Sequence, residues 1–549
     1  MGASVDDAEL VDRFPWVQVT HDNKHLFRGW LDRKLLIDRC DDCGRFHHPP
    51  KPICPECWSS RITPTEVSGR GTIHLAMALH QGAPAPGVDY AKGPHPVVAV
   101  DLEEQPGVRF SSTVVGCDPR GRDRAARRAR LGRALRLALS RLPAARGREA
   151  RRQGVMARRN PIRDRVAIVG LGSTEFSRDA GGRSPAALAC EASIAAIRDS
   201  GIAREEIDGV VGALEPGAPR PSQLAAMLGL SSVTHHSSPM PVAMFGLIDA
   251  MAAIFAGQCD TVLLYYAFTR APWNSRSAAQ DPFRRYLAMN TGTAKPPMPE
   301  SMDPSAAYTT WASRYLHEYG ASREDLGLVA LNMRANAARN PKAAMRKPLT
   351  MEGYLQARMI RDPLCMLDMD IPVDGADAFV LTTVEKAKAI TKHPVVIHAA
   401  TAGMVGPNEE DQLPSLARHG QHVVAEALRE RSELWLEDVD VFFPYDGFSI
   451  ITLGWIENLG YCKPGGAGRF MREHWDEKRG AVMIDGRVPM NPHGGSLSEG
   501  ASRGTGHLRE AVTQLRGEAG ERQVADAKTA LIGCGGFFFN SQGAILRRL

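Results

Sequence analysis

Val441-Phe442-Phe443-Pro444-Tyr445-Asp446-Gly447-Phe448 is followed by Asn491-Pro492-His493-Gly494-Gly495 and, close to the C-terminus, by Cys534-Gly535-Gly536. These stretches put a phenol beside a carboxylate and a histidine before a glycine pair whose backbone amides can form an anion nest. The text around them alternates strand and helix. Arg165-Val166-Ala167-Ile168-Val169-Gly170 reads as a strand leading through a Gly/Ser loop to a helix over Ser184 to Asp199. A helix over Met244 to Ala256 then feeds the strand Asp260 to Tyr266. Repeated βα units predict an α/β fold with helices on both faces of a mixed or parallel sheet.

The order of the three stretches resembles the C-terminal half of sterol-carrier-protein-type thiolases, which carry His-Asp-Cys-Phe where this chain reads Tyr445-Asp446-Gly447-Phe448. From about Arg165 onward the chain is similar to the thiolase superfamily, particularly the lipid-transfer-like branch that includes steroid side-chain aldolases. Asn340-Pro341 with Thr350, Asp362-Pro363-Leu364, Asp374-Gly375-Ala376-Asp377-Ala378 and Gly494-Gly495-Ser496-Leu497-Ser498-Glu499-Gly500 carry the resemblance. It implies a thiolase fold of two duplicated βαβαβ halves in five layers, assembled as a homodimer.

The catalytic inheritance is incomplete. In a thiolase the nucleophilic cysteine opens a buried helix, and the matching segment here, Pro239 to Gly246, holds no cysteine. Cys259 follows that helix and reads as a core residue. The thiolase Gly-His-Pro motif also fails, because Gly500-Ala501-Ser502 places alanine where the histidine belongs. Covalent acyl transfer would lack its nucleophile and its base.

What remains suits retro-aldol cleavage of a β-hydroxyacyl-CoA, which needs a base for the hydroxyl proton and donors for the charge moving onto the thioester oxygen. Tyr445 stands where thiolases hold His or Asn over the substrate; as a base its phenol, ordinarily near pKa 10, needs donors or positive charge nearby. Asp446 would orient the loop, since a close carboxylate would raise that pKa further. His493 could donate to an enolate oxygen above the Gly494-Gly495 amides, which would hold the acyl-CoA. His507, at the start of a helix, is either catalytic or part of the helix cap. Cys534 matches the second thiolase cysteine loosely. The resemblance also implies a second tyrosine near Ala501, and its absence bears on a sterol substrate more than on the reaction type. Two other functions compete: a thiolase or acyltransferase for an aromatic or branched β-ketoacyl-CoA, and a silent lipid-CoA carrier.

At the other end, Cys40-Asp41-Asp42-Cys43 and Cys54-Pro55-Glu56-Cys57 form two C-x2-C knuckles with ten residues between them. Each turn can aim two thiolates at one tetrahedral ion, Zn2+ first and iron as the alternative. Four thiolates leave His47 and His48 no ligand role, and both are expected to face solvent. Gly69 to Leu75, Pro96 to Leu102 and Arg109 to Gly116 read as strands of a small barrel. Residues 27–118 resemble the acyl-CoA-associated zinc-ribbon plus OB-fold family: a short helical lead-in such as Phe27–Leu36, the knuckles, then a five-stranded barrel. In that family the module is an accessory partner of thiolase-like enzymes. Aromatics are too sparse for a single-stranded nucleic-acid site.

The 549 residues, 43% hydrophobic and 23% charged, suit a soluble multidomain protein. No apolar run reaches bilayer length and residues 1–30 lack a signal-peptide pattern, so a cytoplasmic protein without membrane partners is expected. Net charge is +5, but Arg120 to Arg152 holds thirteen arginines against Asp123 and Glu149, leaving the remainder at −6. That run reads as a basic linker helix, a nucleic-acid arm, or out-of-frame sequence joining two ancestral genes ahead of Met156. Resequencing the locus would decide the last. The expected domains are 1–63 (helical lead-in and ribbon), 64–118 (OB-like barrel), 119–160 (Arg-rich linker) and 161–549 (thiolase-like); a hydratase would be the enzyme supplying substrate.

Overall fold

The computed structural model describes residues 6–14, 19, 22–51, 53–80, 90–112, 160–178, 180, 183–212, 218–240, 242–269, 304–405, 413 and 415–549. The arginine run and its three readings, and the end of the strand expected through Gly116, lie outside these residues.

A nine-stranded sheet carries the duplication. Its first half comprises β1 (Val166–Ser173), β2 (Gly209–Gly212), β3 (His235–Ser237), β4 (Thr261–Phe268) and β5 (Gly375–Thr383), in the order β3-β2-β4-β5-β1. The second comprises β6 (Val395–Gly403), β7 (Val441–Pro444), β8 (Thr529–Cys534) and β9 (Ser541–Arg548), in the order β7-β8-β9-β6. Strand five of the first half, β5, is antiparallel to β4 and β1, just as β9 is antiparallel to β8 and β6. The missing third strand of the second half survives as a parallel bridge between Phe442 and Met490. The halves meet where β1 and β6 pair antiparallel, Ile168 opposite Val395.

Sequence explains the layering. β4 reads TVLLYYAF and every residue is buried, as in a strand covered on both faces. On the outer face of the first half lies α1 (Pro185–Ser200), started by the Ser184 hydroxyl accepting from the Ala187 amide at 3.2 Å and by Pro185, and stopped by Gly201 at φ +68°. It approaches so closely that a Cβ on Gly172 would stand 2.0 Å from the Ala192 carbonyl oxygen. Between the halves lie α2 (Ala243–Phe255) and α4 (Thr505–Arg516), whose Leu247, Ala250, Leu508 and Val512 share a core with Ile168, Leu264, Phe443 and Ile532. On the far face α3 (Gly420–Arg431) packs Val424 and Leu428 against Leu531 and Ile545. The result is five layers, α/β/α/β/α.

The N-terminal part is a three-stranded ribbon (Phe46–His47, Leu36–Cys40, Ile62–Glu66) after a helix at Lys24–Leu31. The helical lead-in is therefore shorter than expected, since Leu36 already begins a strand. His47 is 6% exposed. The expectation that it faces solvent fails because the short strand folds its ring under the ribbon, and burial pushes its pKa down. His48 packs on the Phe110 ring at 5.3 Å, and burial lowers its pKa to about 4.

Gly71–Leu79, His95–Leu102 and Arg109–Ser112 form an antiparallel sheet completed from the main body. Leu79 pairs with Arg361 and Ala78 with Asp362, so Met359–Asp362 and Leu364–Cys365 supply its fourth and fifth strands. Leu75, Met77, Leu79 and Val97 share one core with Trp311, Tyr315 and Leu364. Each such side chain contributes about 1.5–3 kcal/mol when fully buried. Arg109, 2% exposed, pairs with Asp101 at 2.7 Å and donates to the Leu413 carbonyl. The ribbon-bearing module is thus seated on the thiolase-like body of its own chain.

Candidate active site

Tyr445 lies just past the C-terminal end of buried β7, its amide donating to the Gly533 carbonyl at 2.8 Å. A Cβ on Gly447 would stand 2.7 Å from the Tyr445 ring and 3.1 Å from its hydroxyl oxygen, so the phenol lies over the space a side chain there would take. The Tyr445 ring centroid is 5.5 Å from that of His507.

Asp446 is fully buried. Its carboxylate accepts the amides of Ser496 at 2.8 Å and Leu497 at 3.0 Å, and His507 Nε2 lies 3.0 Å from Oδ1. Gly494 and Gly495 make this possible, with φ of +103° and +61°; a Cβ on Gly495 would stand 2.1 Å from Asp446 Oδ2. The two amides that follow the glycine pair, those of Ser496 and Leu497, are thereby spent on the chain's own carboxylate. These are not the Gly494 and Gly495 amides that the sequence expectation assigned to acyl-CoA, and nothing in one dimension brings Asp446 to Ser496.

His493 is 1% exposed, its ring centroid 4.9 Å from His507 and 5.8 Å from Phe443. Neither ring nitrogen has a hydrogen-bond partner, and the same holds for His507 Nδ1, Asn491 Oδ1 and Ser496 Oγ. Buried polar atoms without partners are costly, so this cluster is built to face a polar ligand or water. Burial, helped by His507, Arg509 and Arg522, holds His493 well below its ordinary pKa and keeps it neutral.

Beside it lies a charge network absent from the sequence-derived site. Arg509 donates to Asp377 at 2.7 and 2.9 Å and to Glu499 at 2.5 Å. Asn340 Nδ2 donates to Glu499 at 2.8 Å and to the His493 carbonyl at 2.8 Å, and Glu499 Oε2 is 4.0 Å from His493 Nε2. Burial raises the Glu499 pKa, with Arg509 opposing. Burial also works against charge on Arg509, but Asp377 and Glu499 outweigh it and hold its pKa above the ordinary value. A cavity of about 640 Å³, lined in part by Asn340, Lys342, Arg346 and Arg516, opens beyond this network. Asp377 and Glu499 fall in quoted phrases, whereas Arg509 does not; the available signal was an acid inside a strand otherwise free of charge, since Asp377 lies fully buried in β5.

Thiol chemistry is poorly served. The first amide of α2, Ala243, donates to the Arg503 carbonyl at 3.1 Å, and the segment before it brings no cysteine. Cys534 ends β8 under Gly504, buried, its thiol pushed up to about 12 by that burial. Cys259 follows α2 against Gly209, likewise pushed up to about 12 by burial.

The four knuckle cysteines converge separately. Their sulfurs lie within 4.8 Å of one another, with Cys40 to Cys57 at 3.6 Å and Cys43 to Cys54 at 3.5 Å. Thiolates about 2.3 Å from a tetrahedral ion stand roughly 3.8 Å apart, so the donor set fits Zn2+ with no open position.

Residues 27–63 match the family model described as ChsH2, rubredoxin-like zinc ribbon domain, and residues 408–548 match that of the thiolase C-terminal domain. The chain is 32% identical over 396 residues to the 17-hydroxy-3-oxo-4-pregnene-20-carboxyl-CoA lyase of Mycobacterium tuberculosis, covering 67% of this chain and 96% of that one. It is also 32% identical over 398 residues to the steroid side-chain-cleaving aldolase of Thermomonospora curvata, covering 67% and 95%. The solved structure described as Ltp2-ChsH2(DUF35) aldolase superposes with a TM-score of 0.60 at 30% identity, covering 70% of this chain and 98% of that one. Both the ribbon and the thiolase-like body are thereby accounted for, and the chain belongs to the steroid side-chain aldolase family of thiolase-fold lyases.

Proposed function

We propose that the protein cleaves a β-hydroxyacyl-CoA by a retro-aldol reaction, without a covalent acyl-enzyme, and that the acyl group is steroid-like. The observation that carries this is the convergence of Tyr445, Asp446, His493 and His507 at a site where α2 brings no cysteine and Cys534 is a buried, protonated thiol. Tyr445 takes the β-hydroxyl proton. His493, neutral and unpartnered, donates to the thioester oxygen as the enolate forms. Asp446 fixes the loop, and the Arg509 network holds Glu499 and Asn340 behind His493. The module carrying Cys40, Cys43, Cys54 and Cys57 braces the acyl-CoA entrance through the sheet it shares with Met359–Asp362. A homodimer in the cytoplasm, supplied by a hydratase, completes the proposal.

The test is turnover of a panel of steroidal and aromatic β-hydroxyacyl-CoA esters, followed as released ketone or aldehyde without added CoA. Wild type is expected to release product and Tyr445→Phe to lose it by about 10²-fold or more. Cleavage of β-ketoacyl-CoA that depends on added CoA, with none of the hydroxy esters cleaved, would overturn the lyase assignment.

A further inference from the structure

Asp446 is held so that it can only accept. Two backbone amides donate to its carboxylate, and it sits 3.0 Å from His507 Nε2, with both residues at most 1% exposed. The proton of a neutral His507 is therefore drawn to Nε2. The lone pair is left on Nδ1, which is buried and has no partner in the protein. The rings facing His507 are those of Tyr445 at 5.5 Å and His493 at 4.9 Å. An imidazole with one nitrogen fixed by a buried carboxylate and the other left an unpartnered acceptor, its ring in contact with that of a tyrosine, is an arrangement that can take the proton of a hydroxyl brought to it. In this chain Ala501 occupies the place of the thiolase base, and His507 reaches the site from the first turn of α4 instead.

We propose that Asp446, His507 and Tyr445 form one proton relay in which His507 Nδ1 receives the Tyr445 hydroxyl proton. This rests on the assignment of Tyr445 as base. As the β-hydroxyl proton passes to the Tyr445 oxygen, the phenol's own proton passes to His507. The Cα–Cβ bond breaks, its electron pair moves onto Cα and the thioester oxygen, and the carbinol carbon leaves as a ketone. Return of one proton to Cα yields the shortened acyl-CoA; no oxidant and no free CoA is consumed. His507 is a positioning residue that acts through Tyr445, and it removes the need for a phenolate before substrate binds. The other charged groups on this side are Glu499, Arg509 and Asp377, which are paired with one another, and Glu510, paired with Arg522.

Two measurements test the relay. In the full chain labelled with 15N-histidine, His507 is assigned by its loss in His507→Gln. The expected spectrum has the proton on Nε2 and an Nδ1 resonance that moves on Tyr445→Phe. A proton on Nδ1, or a resonance indifferent to Tyr445→Phe, overturns the relay. In the second, kcat is followed against pH. The amide of His507→Gln can still donate to Asp446, so the melting temperature and substrate affinity are expected to hold while kcat falls about 10²-fold or more and the acid limb disappears. A variant that keeps the wild-type acid limb overturns the relay. The NMR measurement needs no turnover, so failure of the relay is distinguishable from failure of the lyase assignment.

Discussion

Gly447 and Arg509 show how single residues set this site. Gly447 is not in the left-handed region, so no backbone demand requires glycine there; the demand comes from the Tyr445 ring lying over it. Gly447→Ala is expected to push the phenol aside and lower kcat at least tenfold with KM and melting temperature nearly unchanged. Steady-state kinetics with a thermal melt check this. The tetrapeptide's two departures from His-Asp-Cys-Phe are thus coupled: tyrosine at the first place needs the space left at the third. Arg509 is a different case. Its guanidinium neutralises two carboxylates that are 0% and 3% exposed, so Arg509→Met strands them. Breaking a buried pair from one side costs about 3–5 kcal/mol, and denaturant titration should show a loss of that order.

At the scale of elements, α3 carries a pH response. His422 on α3 is pushed to about 4, first by burial and then by Arg418, and His419 beside it is lowered well below its ordinary value by burial. The unfolded chain takes up protons on these histidines near pH 6.5, whereas the folded chain resists until far lower. A folded pKa below the unfolded one gives stability that is present above pH 6.5 and is lost as pH falls toward 4. His422 Nδ1 accepts the His419 amide at 3.2 Å, a role an asparagine oxygen can take over. His422→Asn is therefore expected to flatten the fall in melting temperature between pH 6.5 and 4, measured by calorimetry across that range. Unchanged steepness would show that other groups dominate the acid response.

For the molecule as a whole, the five-stranded sheet built from residues 71–112 and 359–365 ties the ribbon module to the thiolase-like body. The ribbon's apolar core is small and borrowed in part from the adjoining sheet: Ile37 and Val67 pack with Leu102 and Val108. Small metal-bound units draw their folding energy largely from the ion. Metal analysis is expected to find one Zn2+ per chain, and Cys43→Ser or a strong chelator to unfold the ribbon while the nine-stranded sheet survives. Limited proteolysis with mass spectrometry would show cuts confined to residues before about 70. Cuts spreading first into residues 160–549 would mean the metal supports the body instead.

The sequence by itself determined the elements, the duplicated fold and the metal donors, because each is written in short-range pattern. The Ser184–Gly201 caps place α1, the apolar runs place β1 and β4, and the two C-x2-C turns place four thiolates. It also nominated Tyr445, Asp446, His493 and His507 from motif position. Only the tertiary structure decided how these side chains are used. Sixty-one residues separate Asp446 from His507 and 132 separate Asp377 from Arg509, so no local period could join them. The same holds for Leu79 and Arg361, which close a sheet the sequence had given to one module alone. Packing adds the rest: it neutralises His493, keeps Cys534 protonated and sets Asp446 against the Ser496 and Leu497 amides, because each depends on what packs around a group and not on its neighbours in the chain.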